Sequence, residues 1–262
     1  PKGEYTLREE TLPGYKPQAD YAVNLTGSAN VAVRNEPLAL ALTKVDSYTG
    51  KTLAGVDFML LDASGNPVKL MKQADGVYHY DADGTPGFVT GDNGKAVIYY
   101  IPSGSYAVRE TTETATGYAA PKDASVTVTN DNGSENPAVV RCENTPITLE
   151  FNKSDALTKE PLDGGVFQLR DAGGNIVKLI RIEAGSYRPD SNGEAIFTTK
   201  NGEAVIRYLT PQQYTISEVT PPSGYKADSD KAVNVTADND IANAAKAAMQ
   251  DQPLAIEFTK TD

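Results

Sequence analysis

The chain has 262 residues, a formal net charge of −11, one cysteine and one histidine. Such an acidic surface argues against nucleic acid and anionic membrane as partners. A lone Cys142 excludes an intrachain disulfide, a lone His79 leaves little for a histidine triad or a zinc site, and no apolar run is long enough to span a bilayer.

The first stretch with a clear pattern is Tyr5-Thr6-Leu7-Arg8-Glu9, which alternates with period two and reads as a half-buried strand. Tyr5, Leu7 and Glu9 then share the inward face. A turn through Pro13-Gly14-Tyr15 follows. Two later strands are expected, the last ending at Asn35 with Val31 and Val33 on the same face. Residues 1–36 therefore read as the C-terminal part of an incomplete domain. The rest, roughly 70 residues with a partner lysine, would lie upstream.

Residues 37–145 read as a complete domain. Its first strand, Pro37 to Asp46, points Leu38, Leu40, Leu42 and Lys44 to one side. Strand signals fall at 38–44, 56–62, 97–101, 105–110, 124–129 and 138–144, and residues 63–93 read as an insertion. Turn clusters such as Ser64-Gly65-Asn66-Pro67 and Asn130-Asp131-Asn132-Gly133 separate them. Short strands with frequent turns mean a β-sandwich. Tyr106-Ala107-Val108-Arg109-Glu110 repeats the opening motif and is followed by Gly117-Tyr118. The last strand turns Val140, Cys142 and Asn144 inward, so Cys142 reads as a small buried hydrophobe. Asp81-Ala82-Asp83-Gly84 and Asp92-Asn93-Gly94 lack the spacing of a calcium loop and read as turns.

Residues 146–252 repeat the plan. Ile147, Leu149, Phe151 and Lys153 share a face, as do Tyr214, Ile216 and Glu218 ahead of Gly224-Tyr225. Ala247, Met249 and Asp251 occupy the last strand, and the alanine-rich run before them suggests a short helical turn. Residues 253–262 begin a further copy with Leu254, Ile256, Phe258 and Lys260 on one face. The lysines 44, 153 and 260 stand 109 and 107 residues apart, a period that suits one small domain per copy.

An inward lysine, an inward glutamate and an inward Asn or Asp thus recur together. This combination resembles the SpaA/Cna-B-type domains, the isopeptide-forming domains of Gram-positive surface proteins and pili. The segments Thr49 to Phe58 and Leu162 to Phe167 are similar to that family's first turn and second strand. The resemblance covers essentially the whole chain. It implies an all-β array of Ig-like, prealbumin-like sandwiches, and cross-links of Lys44 to Asn144 and Lys153 to Asp251, with Glu110 and Glu218 as catalysts. Glu9, Asn35 and Lys260 would be members of the same sets in the partial copies.

The chemistry follows from burial. A buried ammonium is costly unless paired or neutralised. An apolar pocket favours a neutral, nucleophilic amine and a protonated carboxyl. Such a carboxyl could polarise the acceptor and shuttle a proton to leaving ammonia or water. The alternative is an ordinary ion pair beside a turn residue.

The chain is therefore expected to be a stalk or pilus-shaft segment, not an enzyme beyond one turnover on itself, needing no cofactor or metal. Its expected location is extracellular and cell-wall-attached, within a longer secreted protein. Expected partners are neighbouring repeats of the same chain or fibre, with a host protein or glycan as the alternative ligand of the 63–93 segment through Tyr78, Tyr80 and Phe88. A further alternative is a filament in which 253–262 pairs with residues 1–36 of a neighbour. The pilin lysine motif and the sorting signal of polymerised pilins are not seen in this stretch.

Overall fold

The computed structural model describes residues 1–112 and 117–261. Residues 113–116, in the turn expected ahead of Gly117-Tyr118, and Asp262, the end of the last Pro-initiated copy, lie outside the described residues. The chain divides into two compact units. One holds Pro1–Glu113 with Pro121–Asn144, and the other Thr114–Ala120 with Thr145–Asp262.

In the first unit β1 (Gly3–Leu7) and β2 (Tyr21–Leu25) form an antiparallel ribbon. The body holds β3 (Ala39–Asp46), β4 (Asp57–Leu61), β5 (Lys69–Ala74), β6 (Val77–Tyr80), β7 (Thr85–Pro86), β8 (Phe88–Val89), β9 (Lys95–Tyr99), β10 (Gly104–Glu110), β11 (Ala124–Val128) and β12 (Ala138–Asn144). These make a four-stranded sheet, β11-β10-β4-β8, and a six-stranded sheet, β12-β3-β9-β6-β5-β7. Leu40, Leu42 and Ile98 of one sheet meet Phe58, Leu60, Val108 and Val126 of the other in a single core. Burying each such side chain stabilises by about 1.5–3 kcal/mol. The result is a β-sandwich. The first and last strands of this body lie parallel and adjacent, with Cys142 opposite Lys44.

The second unit repeats this plan with β13 (Thr148–Asp155), β14 (Val166–Arg170), β15 (Leu179–Glu183), β16 (Ser186–Pro189), β17 (Phe197–Thr198), β18 (Glu203–Arg207), β19 (Gln212–Thr220), β20 (Tyr225–Lys226), β21 (Lys231–Val235) and β22 (Ala245–Pro253). Its sheets are β15-β16-β18-β13-β22-β20 and β17-β14-β19-β21. Leu149, Phe151, Phe167, Ile206, Ile216 and Met249 are fully buried between them. Again the first full-length strand, β13, and the last, β22, are parallel, with Lys153 opposite Met249. The glycine of Gly117-Tyr118 has a close-packing reason: its φ is +95°, and a Cβ there would lie 2.7 Å from the carbonyl oxygen of Tyr208.

Several expected elements differ in the structure. Residues 63–93 are not an insertion: they supply β5 to β8, and Tyr78 and Phe88 pack edge-on in the core at 5.9 Å between ring centres. Only Tyr80 of the three aromatic candidates is exposed. The alanine-rich run forms no helical turn. It enters β22, where Ala245 and Ala247 sit opposite Leu149 and Phe151, so pairing overrides helical propensity. The strand expected to end at Asn35 is absent, and Val31 and Val33 are exposed. The opening strand stops at Leu7, so Glu9 lies beyond it, and Tyr5 and Leu7 are exposed rather than inward. Residues 254–261 likewise form no strand, and Leu254, Ile256 and Phe258 are exposed. The reason is common to these ends. No described strand lies beside either segment, and an unpaired strand leaves its backbone donors and acceptors without a ladder.

Candidate functional site

In the first unit β3 and β12 present Lys44 and Asn144 from the six-stranded sheet, and β10 presents Glu110 from the other. Strand alternation puts all three into the core, since each follows an apolar row at even spacing. Lys44 Nζ donates to Asn144 Oδ1 at 2.6 Å and to Glu110 Oε2 at 2.6 Å. Asn144 Nδ2 donates to Glu110 Oε1 at 3.1 Å. Lys44 is 1% exposed and Asn144 2%, so water does not screen this triangle. Phe58, paired directly with Glu110 across the strands, forms the floor, its ring centre 5.7 Å from Lys44 Nζ. Cys142 is buried beside this site; burial pushes its thiol up to about 11, with Lys44 opposing, so it is a core residue rather than a reactive thiol.

The second unit repeats the triangle with a carboxylate as the third member. Lys153 of β13 bonds Asp251 of β22 and lies 3.1 Å from Glu218 of β19. Lys153 and Asp251 are buried, and the Glu218 side chain is sealed from solvent. Phe167, opposite Glu218 on the neighbouring strand, again forms the floor at 5.6 Å from the amine. Burial raises the Glu218 carboxyl above its ordinary value; Lys153 opposes this and the nearby Asp251 carboxyl adds to it. Glu218 Oε1 and Asp251 Oδ2 are buried with no hydrogen bond. One proton held between the two carboxyls would satisfy both.

In residues 1–36 Asn35 Nδ2 donates to Glu9 Oε1 at 2.7 Å, the same amide–carboxylate contact that Asn144 makes with Glu110. Glu9 Oε2 and Asn35 Oδ1 are buried and unpaired. These are the counterparts of the two atoms that accept from Lys44 in the complete site. A cavity of about 240 Å³ lies there, lined by Leu7, Arg8, Glu9, Tyr21, Val33 and Asn35. Lys260 is exposed. The structure thus brings Lys44, Glu110 and Asn144 together, and Lys153, Glu218 and Asp251, while Glu9 and Asn35 meet each other with no hydrogen bond from a lysine among the described residues.

Sequence reasoning passed over three contributors. Phe58 and Phe167 could have been found from their place opposite the glutamate strand in each copy. Asp228 precedes β21 and touches the second site: its N–H donates to Asp251 Oδ1 at 3.1 Å. Among the described residues no group of metal-ligating side chains that could hold an ion is present.

A family model described as SpaA, prealbumin-like fold domain, matches the chain twice, over residues 39–141 and 147–249. Among solved structures, the shaft pilin spaA from Lactobacillus rhamnosus GG is 20% identical with a TM-score of 0.39, covering 84% of this chain and 99% of that one. A streptococcal ancillary pilin is 21% identical with a TM-score of 0.38, covering 97% of this chain and 76% of its own. GBS52, the minor pilin of Streptococcus agalactiae, is 16% identical with a TM-score of 0.36 and coverages of 86% and 100%. No curated protein matches.

Proposed function

We propose, from the premise that this chain belongs to the family of SpaA prealbumin-like fold domains, that it is a structural shaft or stalk segment of a Gram-positive pilus or surface adhesin. Its two complete repeats lock themselves with isopeptide bonds, Lys44 to Asn144 and Lys153 to Asp251. One observation carries this reading: a buried lysine Nζ stands 2.6 Å from the acceptor oxygen of Asn144 and 2.6 Å from the glutamate able to move its protons. The same arrangement recurs in the second unit.

Folding brings amine and acceptor into contact, so proximity supplies most of the rate. In the first repeat Lys44 Nζ attacks Asn144 Cγ. The new C–N bond forms, the Cγ–Nδ2 bond breaks, and Glu110 carries the proton from the amine to the departing ammonia. In the second repeat the leaving group is water. Each reaction happens once, so the chain is its own substrate and not a turnover enzyme. A bond across 100 residues, the separation of Lys44 and Asn144, stabilises by about 4–5 kcal/mol on a loop-closure argument. It also lets tension pass from first strand to last without extending the residues between. Such a segment suits an extracellular, cell-wall-attached fibre whose partners are neighbouring repeats.

The test is intact mass under denaturing conditions, then peptide mapping. Loss of one ammonia and one water, with the joined peptides 44/144 and 153/251, supports the reading. An unchanged mass overturns it and returns both sites to buried ion pairs.

A second reading concerns the filament. The unpaired Glu9 Oε2 and Asn35 Oδ1 favour a lysine delivered from a strand outside residues 1–36. Lys260 of a neighbouring molecule, on its exposed apolar stretch, has the right pattern. Denaturation-resistant oligomers that Lys260→Arg abolishes would support that delivery; a purely monomeric product would discard it.

A further inference from the structure

The two repeats use different acceptors, and the structure holds a second difference beside them. β11 and β21 occupy corresponding places, with Ala124 opposite Val108 and Lys231 opposite Ile216. Three residues before each lies Pro121 in the first repeat and Asp228 in the second. Asp228 donates its backbone N–H to Asp251 Oδ1 at 3.1 Å. Proline has no N–H to give. The Asp228 side chain braces this contact, since its Oδ2 accepts the N–H of Gln250 at 3.0 Å and Lys231 Nζ lies 3.1 Å from the same carboxylate. Burial opposes ionisation of Asp228, yet these donors hold its carboxyl down at about 2, so it remains a charged anchor.

We propose that the Asp228 N–H is what allows an aspartate to serve as acceptor in the second repeat, by marking Oδ1 as the oxygen that stays. This rests on the isopeptide reading above. An asparagine needs no such mark, because its oxygen and nitrogen differ covalently and only nitrogen departs. A carboxylate has two equivalent oxygens, and attack succeeds only if one retains the developing charge while the other is protonated. Asp251 Oδ1 accepts from both Lys153 and Asp228, whereas Oδ2 is buried without a donor. The Asp228 N–H therefore stabilises negative charge on Oδ1 as Nζ adds to Cγ. Glu218 delivers its proton to Oδ2 and regains one from the lysine ammonium, which frees Nζ to attack. The Nζ–Cγ bond forms, the Cγ–Oδ2 bond breaks, and Glu218 relays a second lysine proton to the departing Oδ2 and ends protonated as it began, so that the water carries the equivalent of two lysine protons. Nothing is oxidised or reduced.

The experiment follows bond formation in the newly made full chain by intact mass over time, with peptide mapping to assign each site. Asp228→Pro copies the first repeat and is expected to slow water loss in the second repeat by about 10²-fold, while the first repeat still loses ammonia. Adding Asp251→Asn to Asp228→Pro is expected to restore cross-linking, now with loss of a second ammonia, at the rate of Asp251→Asn alone. A merely structural role for Asp228 would slow both acceptors alike. The reciprocal pair guards against a folding defect: Asn144→Asp, in the repeat that carries Pro121, is expected to cross-link slowly, and Pro121→Asp added to it to recover speed. Water loss from Asp228→Pro at the unaltered rate, or no rescue by Asp251→Asn, overturns the proposal while the isopeptide reading survives. No water loss from the unaltered chain overturns both for this repeat.

Discussion

The two complete repeats set a lysine and a glutamate against different third residues, Asn144 and Asp251. In the first, Asn144 and Glu110 also bond each other, so the triangle is satisfied around one carboxylate. In the second, one lysine faces two carboxyls, and an oxygen of each makes no hydrogen bond. The first site is a neutralised pair with an amide bridge. The second holds an excess of acid that must keep a proton or lose an oxygen. Under the proposed chemistry, one scaffold carries either acceptor, provided that the surrounding strands supply what the acceptor lacks.

The largest expected effect comes from removing the lysines. Lys44→Met should cost the first unit about 4–5 kcal/mol through loss of loop closure. It leaves Asn144 and Glu110 still bonded to each other. Lys153→Met should cost the second unit more, by about another 3–5 kcal/mol, because two buried carboxyls, where the first site has one, lose the lysine they share. Chemical denaturation of the two variants measures this, and equal losses would erase the distinction drawn between the sites. Next in size, Glu218→Gln should suppress water loss at the second site by at least about 10²-fold, since proton transfer is removed while shape is kept. Intact mass would then report ammonia loss alone.

The pH dependence sharpens the comparison further. Glu218 is raised in the folded state, chiefly by burial, so protonation at this site favours the fold. Its stabilising contribution is present below the ordinary glutamate value and is lost as pH rises through the raised one. The rate of water loss should fall over that same interval, which a pH series of mass measurements would follow. The smallest effect belongs to Asp228→Asn, which keeps the N–H and loses the side-chain charge. Asp228 is lowered to about 2, so its contribution is present above the ordinary aspartate value and is lost as pH falls towards about 2. Asp228→Asn should cost about 1–2 kcal/mol near neutrality. Melting curves of the two proteins should converge in acid.

Much of the sandwich was legible because its strands alternate cleanly. Leu38, Leu40 and Leu42, and likewise Ile147, Leu149 and Phe151, announce a buried face with a lysine at its end. The repeat then identified the glutamate and the Asn or Asp that meet each lysine, since a polar side chain at inward parity in every copy is costly without a partner. Less legible was the stretch 63–93, whose strands are short and whose β5 face is mostly exposed. The alanine-rich approach to β22 misled because propensity speaks for the isolated chain, whereas β13 speaks for the strand.

Sequence alone determined the period, the all-β class and the three polar residues that meet in each complete repeat, because these depend on alternation and spacing along one chain. Tertiary structure alone decided which side chains from distant strands touch. It placed Phe58 and Phe167 beneath the amines and aimed the Asp228 N–H at Asp251 Oδ1. It also left residues 26–35 and 254–261 without strand structure. The physical reason is the same throughout: a strand's pattern states which face it would bury, but only a neighbouring strand can supply the hydrogen bonds and the contacts that bury it.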